Sequence, residues 1–158
     1  MVRGSAETAG ELLELEATYE PGSVEPLEHF HPTQDEHFEV LEGSMEARVG
    51  DESTTLGTGD ELDIPAGTVH AMWNGGTDPA RVLWQTRPAL RTEEFLWRVA
   101  RLAQEGKLTS RGARDPLVGA AVMREYRAEF RPTSPPAPVQ AVAFPVLAGV
   151  ARVLGRRS

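Results

Sequence analysis

Three of the four histidines in this 158-residue chain have a spacing that suits a metal-binding site. His29 and His31 are two residues apart, and alternate residues of a strand point to the same face, so both imidazoles would project from one strand. Glu36 could join them from the next strand, whereas His70 could reach them only in a folded sheet. Three neutral imidazoles and one carboxylate suit one divalent ion, of Fe, Zn, Mn, Ni, Co or Cu, with positions left for water or substrate.

The fourth histidine, His37, directly follows Glu36. Neighbouring residues of a strand point to opposite faces, so if Glu36 points inward, His37 points outward. We therefore expect His37 to be a surface or packing residue and not a ligand. No catalytic residue separate from the metal ligands is predicted, although Glu36 could act as a base if it were displaced from the metal.

The composition excludes several classes of site and partner. The chain has no cysteine, so the metal site must consist of nitrogen and oxygen ligands. A net charge of -8 argues against nucleic acid or an anionic membrane surface as the main partner. Residues 1–10 lack the apolar core of a signal peptide, so we expect a cytoplasmic protein.

The charge is distributed unevenly along the chain. Residues 1–63 contain 17 acidic and 2 basic residues, whereas residues 64–158 contain 7 acidic and 14 basic residues. Complementary charge favours and orients association, which predicts that the basic part docks on the acidic part, within one chain or between subunits.

Two kinds of hydrophobic periodicity divide the chain. Up to Pro88, short segments of period two alternate with turn signals rich in Gly, Pro and Asn, which predicts about eight antiparallel strands. After Pro88 the period is that of helices. We predict a flexible N-terminus over residues 1–10, a β-barrel over residues 11–88 and a helical extension over residues 89–158. The predicted strands are 11–19, 27–31, 36–42, 45–49, 53–56, 61–64, 69–73 and 80–87.

About three helices are expected in the extension. Thr92 is predicted to cap the first helix, and Asp115 followed by Pro116 predicts the start of a second that runs to about Phe130. Beyond the proline-rich residues 132–138, valines at spacings of three and four form one stripe of a third helix. We expect this stripe to dock on the barrel, so that residues from about Pro135 onward form a lid over the site. We also expect basic residues at the C-terminal end of the helix to interact favourably with the helix dipole. Those basic residues are Arg152, Arg156 and Arg157.

Two gapped motifs in the predicted barrel resemble those of the cupin superfamily. The first comprises Gly22, His29, His31, Glu36 and Gly43, and it departs from the usual pattern because six residues, instead of five, separate Gly22 from His29. The second matches without departure through Gly59, Pro65, Gly67, His70 and Asn74. The resemblance covers roughly residues 11–88, and using Asp35 as the carboxylate would break the register of the first motif.

The resemblance implies a mainly β protein, a cupin-type double-stranded β-helix or jelly-roll barrel, with one divalent metal ion held inside by His29, His31, Glu36 and His70. It also implies a homodimer, because such barrels commonly pair. Trp84 is among the side chains that could line a cavity above the metal, and Asn74 is expected to tie down a turn.

Fold alone does not determine function, and three hypotheses remain open. The leading one is a metal-dependent oxidoreductase, dioxygenase-like, that acts on a small organic molecule. The second is a redox-neutral isomerase or cyclase, which would need a side-chain acid or base near the metal. The third is a non-catalytic module that binds or senses a small ligand.

Overall fold

The computed structural model describes residues 3–109 and 112–155, and its first part is a β-barrel. Within these residues the barrel has eight strands. Seven of them begin and end within two residues of the predicted bounds, and the second is much shorter than expected. They are β1 (Leu13–Tyr19), β2 (His29–Phe30), β3 (Asp35–Glu42), β4 (Ser44–Val49), β5 (Glu52–Gly57), β6 (Glu61–Ile64), β7 (His70–Trp73) and β8 (Ala80–Arg87).

The strands form two antiparallel sheets that enclose one hydrophobic core. One sheet has the order β1-β8-β3-β6, and the other runs β2-β7-β4-β5 with one further strand, β11 (Arg131–Pro132), added beside β2. Side chains from both sheets pack together, among them Val40 and Val82 from the first and Met45 and Ala47 from the second. This packing of two faces is the jelly-roll arrangement that the alternating pattern predicts.

The tight turn between β3 and β4 depends on Gly43. Its φ is +77°, a conformation that residues with a Cβ rarely adopt, and an added Cβ would lie 2.7 Å from the carbonyl oxygen of Pro79. Any larger residue would therefore be both strained and too close to the neighbouring backbone.

The extension after Pro88 has a small core of its own. The residues that pack together come from its first two helices and the following turn, and they include the buried Phe95, Val118 and Tyr126. Its elements are α1 (Thr92–Gln104), β9 (Leu108–Thr109), β10 (Gly112–Ala113), α2 (Pro116–Glu125), β11 and α3 (Ala137–Val153).

The helix starts agree only in part with the predictions. Asp115 caps α2 as predicted, since its side chain accepts a hydrogen bond from the Leu117 amide. The prediction that Thr92 caps α1 is wrong: Thr92 is a buried residue inside the helix. Its hydroxyl accepts a hydrogen bond from the Gln34 side chain, which also donates to the carbonyl of Pro88. Thr92 therefore joins the extension to the barrel.

The valine stripe on α3 does not dock on the barrel, which corrects the prediction of a valine-mediated lid. Five valines on one face of α3 are between 42% and 86% exposed, namely Val139, Val142, Val146, Val150 and Val153. The opposite face, which includes Leu147 and the buried Ala151, is the more buried one, and α3 packs against α2. Arg156 and Arg157 lie outside the described residues.

The N-terminal segment, expected to be flexible, folds back on the barrel and the extension. Arg3 forms a backbone bridge with Glu14, and the Ser5 hydroxyl donates to the Glu93 carboxylate at 3.0 Å. None of the described helices is long and apolar enough to cross a membrane.

Candidate metal centre

The three predicted histidine ligands come together inside the barrel. His29 on β2 lies directly opposite His70 on β7, and their ring centroids are 4.4 Å apart. His31 follows β2, instead of lying within the strand as expected, with its ring 5.1 Å from that of His29. One nitrogen from each ring lies within 4.8 Å of the other two, close enough for a shared metal ion.

Backbone carbonyls orient all three rings in the same way. The Nδ1 atoms of His29 and His70 lie 3.2 Å and 3.0 Å from the carbonyl oxygens of Leu27 and Thr68. The Nδ1 atom of His31 contacts the carbonyl oxygen of Glu129. A carbonyl can only accept, so each Nδ1 carries a proton, and in a neutral ring the lone pair is then on Nε2. Such backbone contacts are the usual way in which a metal-binding histidine is held in one tautomer.

Glu36 places a carboxylate oxygen against two of these nitrogens. Its Oε2 lies 2.9 Å from Nε2 of His70 and 3.2 Å from Nε2 of His31. Oε2 of Glu36 and Nε2 of His31 are both buried, and neither has a hydrogen-bond partner. A carboxylate oxygen facing imidazole lone pairs is repulsive, whereas a cation placed between them would satisfy every one of these atoms. The donor set therefore fits a divalent metal ion.

The protonation states of the site also fit a metal. Burial, together with the nearby His70 and His31, lowers the pKa of His29 to about 3, so its ring is neutral at pH 7. For Glu36, burial raises the pKa, but the contacts with His31 and His70 in their protonated form outweigh it and bring the pKa to about 2. The Glu36 carboxylate is thus ionised at neutral pH. Metal ions bind the neutral imidazole and the ionised carboxylate.

Trp84 holds the other oxygen of the candidate carboxylate ligand. Its indole Nε1 donates a hydrogen bond of 2.9 Å to Oε1 of Glu36, which leaves Oε2 turned toward the histidines. The Trp84 ring also stacks on the buried Phe38, with centroids 5.7 Å apart. This packing fixes the position of the donor, and the hydrogen bond fixes the orientation of the carboxylate.

The helical extension forms part of the wall of this site, which the sequence patterns did not indicate. The Phe130 ring stacks on His29 with a centroid distance of 4.3 Å and an angle of 21°, and the preceding residue supplies the carbonyl that orients His31. β11 then pairs with β2 beside His29. The segment that covers the site is therefore 129–132, before the region that was expected to form a lid.

Two other polar residues of the motifs have structural roles. His37 points away from the cluster and contacts the Asp63 carboxylate at 2.8 Å, which confirms the prediction of an outward histidine. The Asn74 side chain donates to the carbonyls of Tyr19 and Asp78, so it ties down a turn as expected.

A phenol near the carboxylate was also not predicted as part of the site. Tyr19 at the end of β1 packs against the barrel core. Burial, and then the negative charge of Glu36, raise the pKa of Tyr19 to about 12. The phenol therefore keeps its proton at neutral pH. Its place in the period-two pattern of β1 predicted only an apolar face.

The fold and the histidine cluster define a double-stranded β-helix protein with a candidate metal centre. Residues 15–86 match the cupin domain family. The barrel is therefore a cupin domain, which confirms the predicted resemblance over these residues, and within the described residues the two-sheet barrel followed by three helices confirms the predicted fold class.

The chain is similar to proteins of several bacteria over this region. It is 38% identical over 61 residues to the tetracenomycin polyketide synthase protein TcmJ of Streptomyces glaucescens, a match that covers 39% of this chain and 41% of TcmJ. The crystal structure of TT1209 from Thermus thermophilus is 32% identical with a TM-score of 0.47, covering 50% of this chain and 74% of that one. An uncharacterised Klebsiella pneumoniae protein with a double-stranded β-helix domain is 26% identical with a TM-score of 0.47, covering 51% of this chain and 70% of that one.

Proposed function

We propose that this protein is a metal-dependent enzyme, an oxidoreductase of the dioxygenase-like kind, that acts on a small organic molecule. The observation that carries the proposal is the convergence of the three histidine rings, two of which face the Glu36 oxygen that lacks a hydrogen bond. His29, His31, His70 and Glu36 would hold the ion. A redox-active ion, when bound, would offer open positions for substrate and oxygen together. A redox-inactive ion would act as a Lewis acid.

The residues around the ligands would control access and orientation. Trp84 keeps one Glu36 oxygen occupied, so only the other faces the histidines. Phe130 covers one face of the His29 ring and excludes water from it. An apolar wall of this kind lowers the local dielectric and strengthens the interaction between charged ligand groups and the ion.

A redox-neutral isomerase or cyclase is the second candidate, and Tyr19 is the observation that favours it. Such a reaction needs a side-chain acid or base near the metal, and the negative charge of Glu36 lies close enough to Tyr19 to disfavour ionisation of its phenol. TcmJ, to which the barrel is similar, is by name a polyketide synthase protein. Tyr19 would donate a hydrogen bond or a proton to a carbonyl oxygen of the substrate.

Oxygen consumption separates the two candidates. The protein would be loaded with Fe(II) or with Zn(II) and given a panel of small phenols, carboxylic acids and β-diketones. We expect oxygen uptake with one substrate class in the Fe(II) form, its absence in the Zn(II) form, and its loss in Glu36→Gln. Turnover without oxygen uptake in both forms, lost in Tyr19→Phe, would replace the oxidoreductase with the redox-neutral enzyme. Binding without turnover in either form would contradict both.

We further propose that the protein is a homodimer joined through the exposed face of α3. The five valines and the 59% exposed Leu154 form the stripe. No charged residue occurs between Ala137 and Ala151, which is most of its length. Their exposed surface is roughly 600 Å² per copy, so pairing two copies would bury about 1,200 Å², the lower end of specific interfaces. A second copy brings an identical apolar stripe, as a two-fold interface requires.

Light scattering of two matched variants tests the dimer. Val146 is 61% exposed on the stripe, and Val24 is 64% exposed on a loop of the barrel. We expect a dimer for the unaltered protein and for Val24→Glu, and a monomer for Val146→Glu. A monomeric unaltered protein at high concentration, or a dimeric Val146→Glu, would contradict this interface.

A further inference from the structure

A cavity in the helical extension has the features of a second binding site. It has a volume of about 330 Å³ and lies between the end of α2, β11 and α3. We call it the arginine pocket, because three arginines line it: Arg124, Arg127 and Arg131. Its volume is within the range of about 300–1,000 Å³ that is usual for small-molecule sites.

The charges around the arginine pocket are not balanced within the protein. Among the described residues, none of the three arginines forms an ion pair with a carboxylate. The nearby Glu125 contacts Arg91 instead, and the side chain of Arg131 donates to the carbonyl oxygen of Arg127. Like charges gathered at one cavity repel each other, so an anion bound among them would be stabilised.

The remainder of the pocket wall is largely apolar and aromatic. Phe30 of β2, Phe130 and Phe144 of α3 line the cavity, with Met123 beside them. Aromatic walls favour a flat ring in offset or edge-to-face contact, and the planar guanidinium group pairs with carboxylates through two parallel hydrogen bonds. A solvated basic helix face would explain the arginines alone, but it would not explain why they surround an apolar cavity.

We propose that the arginine pocket binds an aromatic carboxylate of one or two fused rings. The rings lie among the phenylalanines, and the carboxylate contacts the arginines at the mouth. The site is separate from the barrel interior, and it does not depend on the proposed metal. Phe130 lies between the two, since its ring lines the pocket and also stacks on His29. A ligand in the pocket would therefore be one aromatic ring away from the candidate metal centre.

Calorimetric titration with 2-naphthoate tests the proposal. The full chain would be used as purified and again after removal of metal with EDTA, so that binding at the metal itself is recognised. We expect saturable binding of one naphthoate per chain in both forms. The uncharged 2-naphthamide has the same rings, and we expect it to bind at least about tenfold more weakly, because it lacks the charge-assisted hydrogen bonds.

Matched variants locate the site. Arg124, Arg127 and Arg152 are all exposed, but Arg152 does not line the pocket. We expect Arg124→Gln with Arg127→Gln to weaken naphthoate binding at least about tenfold, and Arg152→Gln to change it less than twofold. Ala141→Trp places a large ring in the cavity from an exposed position and should abolish binding.

Four results would overturn the proposal, provided that circular dichroism shows the variants folded. They are no saturable naphthoate binding at millimolar concentration, equal affinity for the amide, loss of binding on metal removal alone, and equal affinity in the arginine pocket variants and Arg152→Gln.

Discussion

Replacing Trp84 by phenylalanine should weaken metal binding far more than it weakens the fold. The change removes the 2.9 Å hydrogen bond to Oε1 of Glu36 but keeps an aromatic ring that can stack on Phe38. Hydrogen bonds to charged groups contribute about 1.5–3 kcal/mol. At about 1.4 kcal/mol for each factor of ten, the loss corresponds to about 10- to 100-fold in affinity for a metal that Glu36 binds.

A competition titration of Zn(II) against a chromophoric chelator measures this effect, and urea unfolding of the metal-free proteins measures the change in the fold. Trp97 is a matched control, since it is 66% exposed on α1 and the same Trp→Phe change removes no contact with the site. We expect Trp97→Phe to bind Zn(II) as the unaltered protein does. Equal affinities for Trp84→Phe and Trp97→Phe would refute the reasoning, because Glu36 would then not need its orienting donor or would not be a ligand.

Two further predictions concern stability. In the metal-free protein, His29 and Glu36 have pKa values of about 3 and about 2, below ordinary values of 6.5 and 4.5, so the unfolded chain binds more protons in this range. The free energy of unfolding, measured by urea titration at each pH, should therefore fall as the pH is lowered from about 6.5 toward 3. The slope should be smaller in His29→Asn, and a stability that does not depend on pH would contradict the prediction. Gly43→Ala should destabilise the fold by about 2 kcal/mol more than Gly50→Ala in urea unfolding, because both have positive φ but, of the two, only Gly43 lacks room for a Cβ. Equal losses for the two would show that the contact at Gly43 is relieved.

The barrel could be predicted from sequence because its signals are local. Alternation and turn residues predicted seven of the strands closely, but β2 ends at Phe30, two residues before Pro32. Proline cannot donate a ladder hydrogen bond, which limits pairing at that point. The two motifs likewise indicated the histidines that the fold brings together.

The contribution of the extension could not be predicted, for two physical reasons. The contact with His31 is made by the backbone carbonyl of Glu129, and every residue type carries such a carbonyl. On α3, both helix faces are apolar, so periodicity identified the valine stripe but not which face is buried. The small and aromatic side chains opposite the valines, including Phe144 and Ala151, face the protein instead.

Elemental analysis of two histidine variants tests the central claim most directly. His31 lies beside the unpartnered oxygen of Glu36, whereas His37 contacts Asp63 on the outside of the barrel. We predict about one divalent ion per chain in the unaltered protein and in His37→Ala, and loss of most of the metal in His31→Ala. Equal metal content in the two variants would contradict the assignment of His29, His31, Glu36 and His70 as ligands.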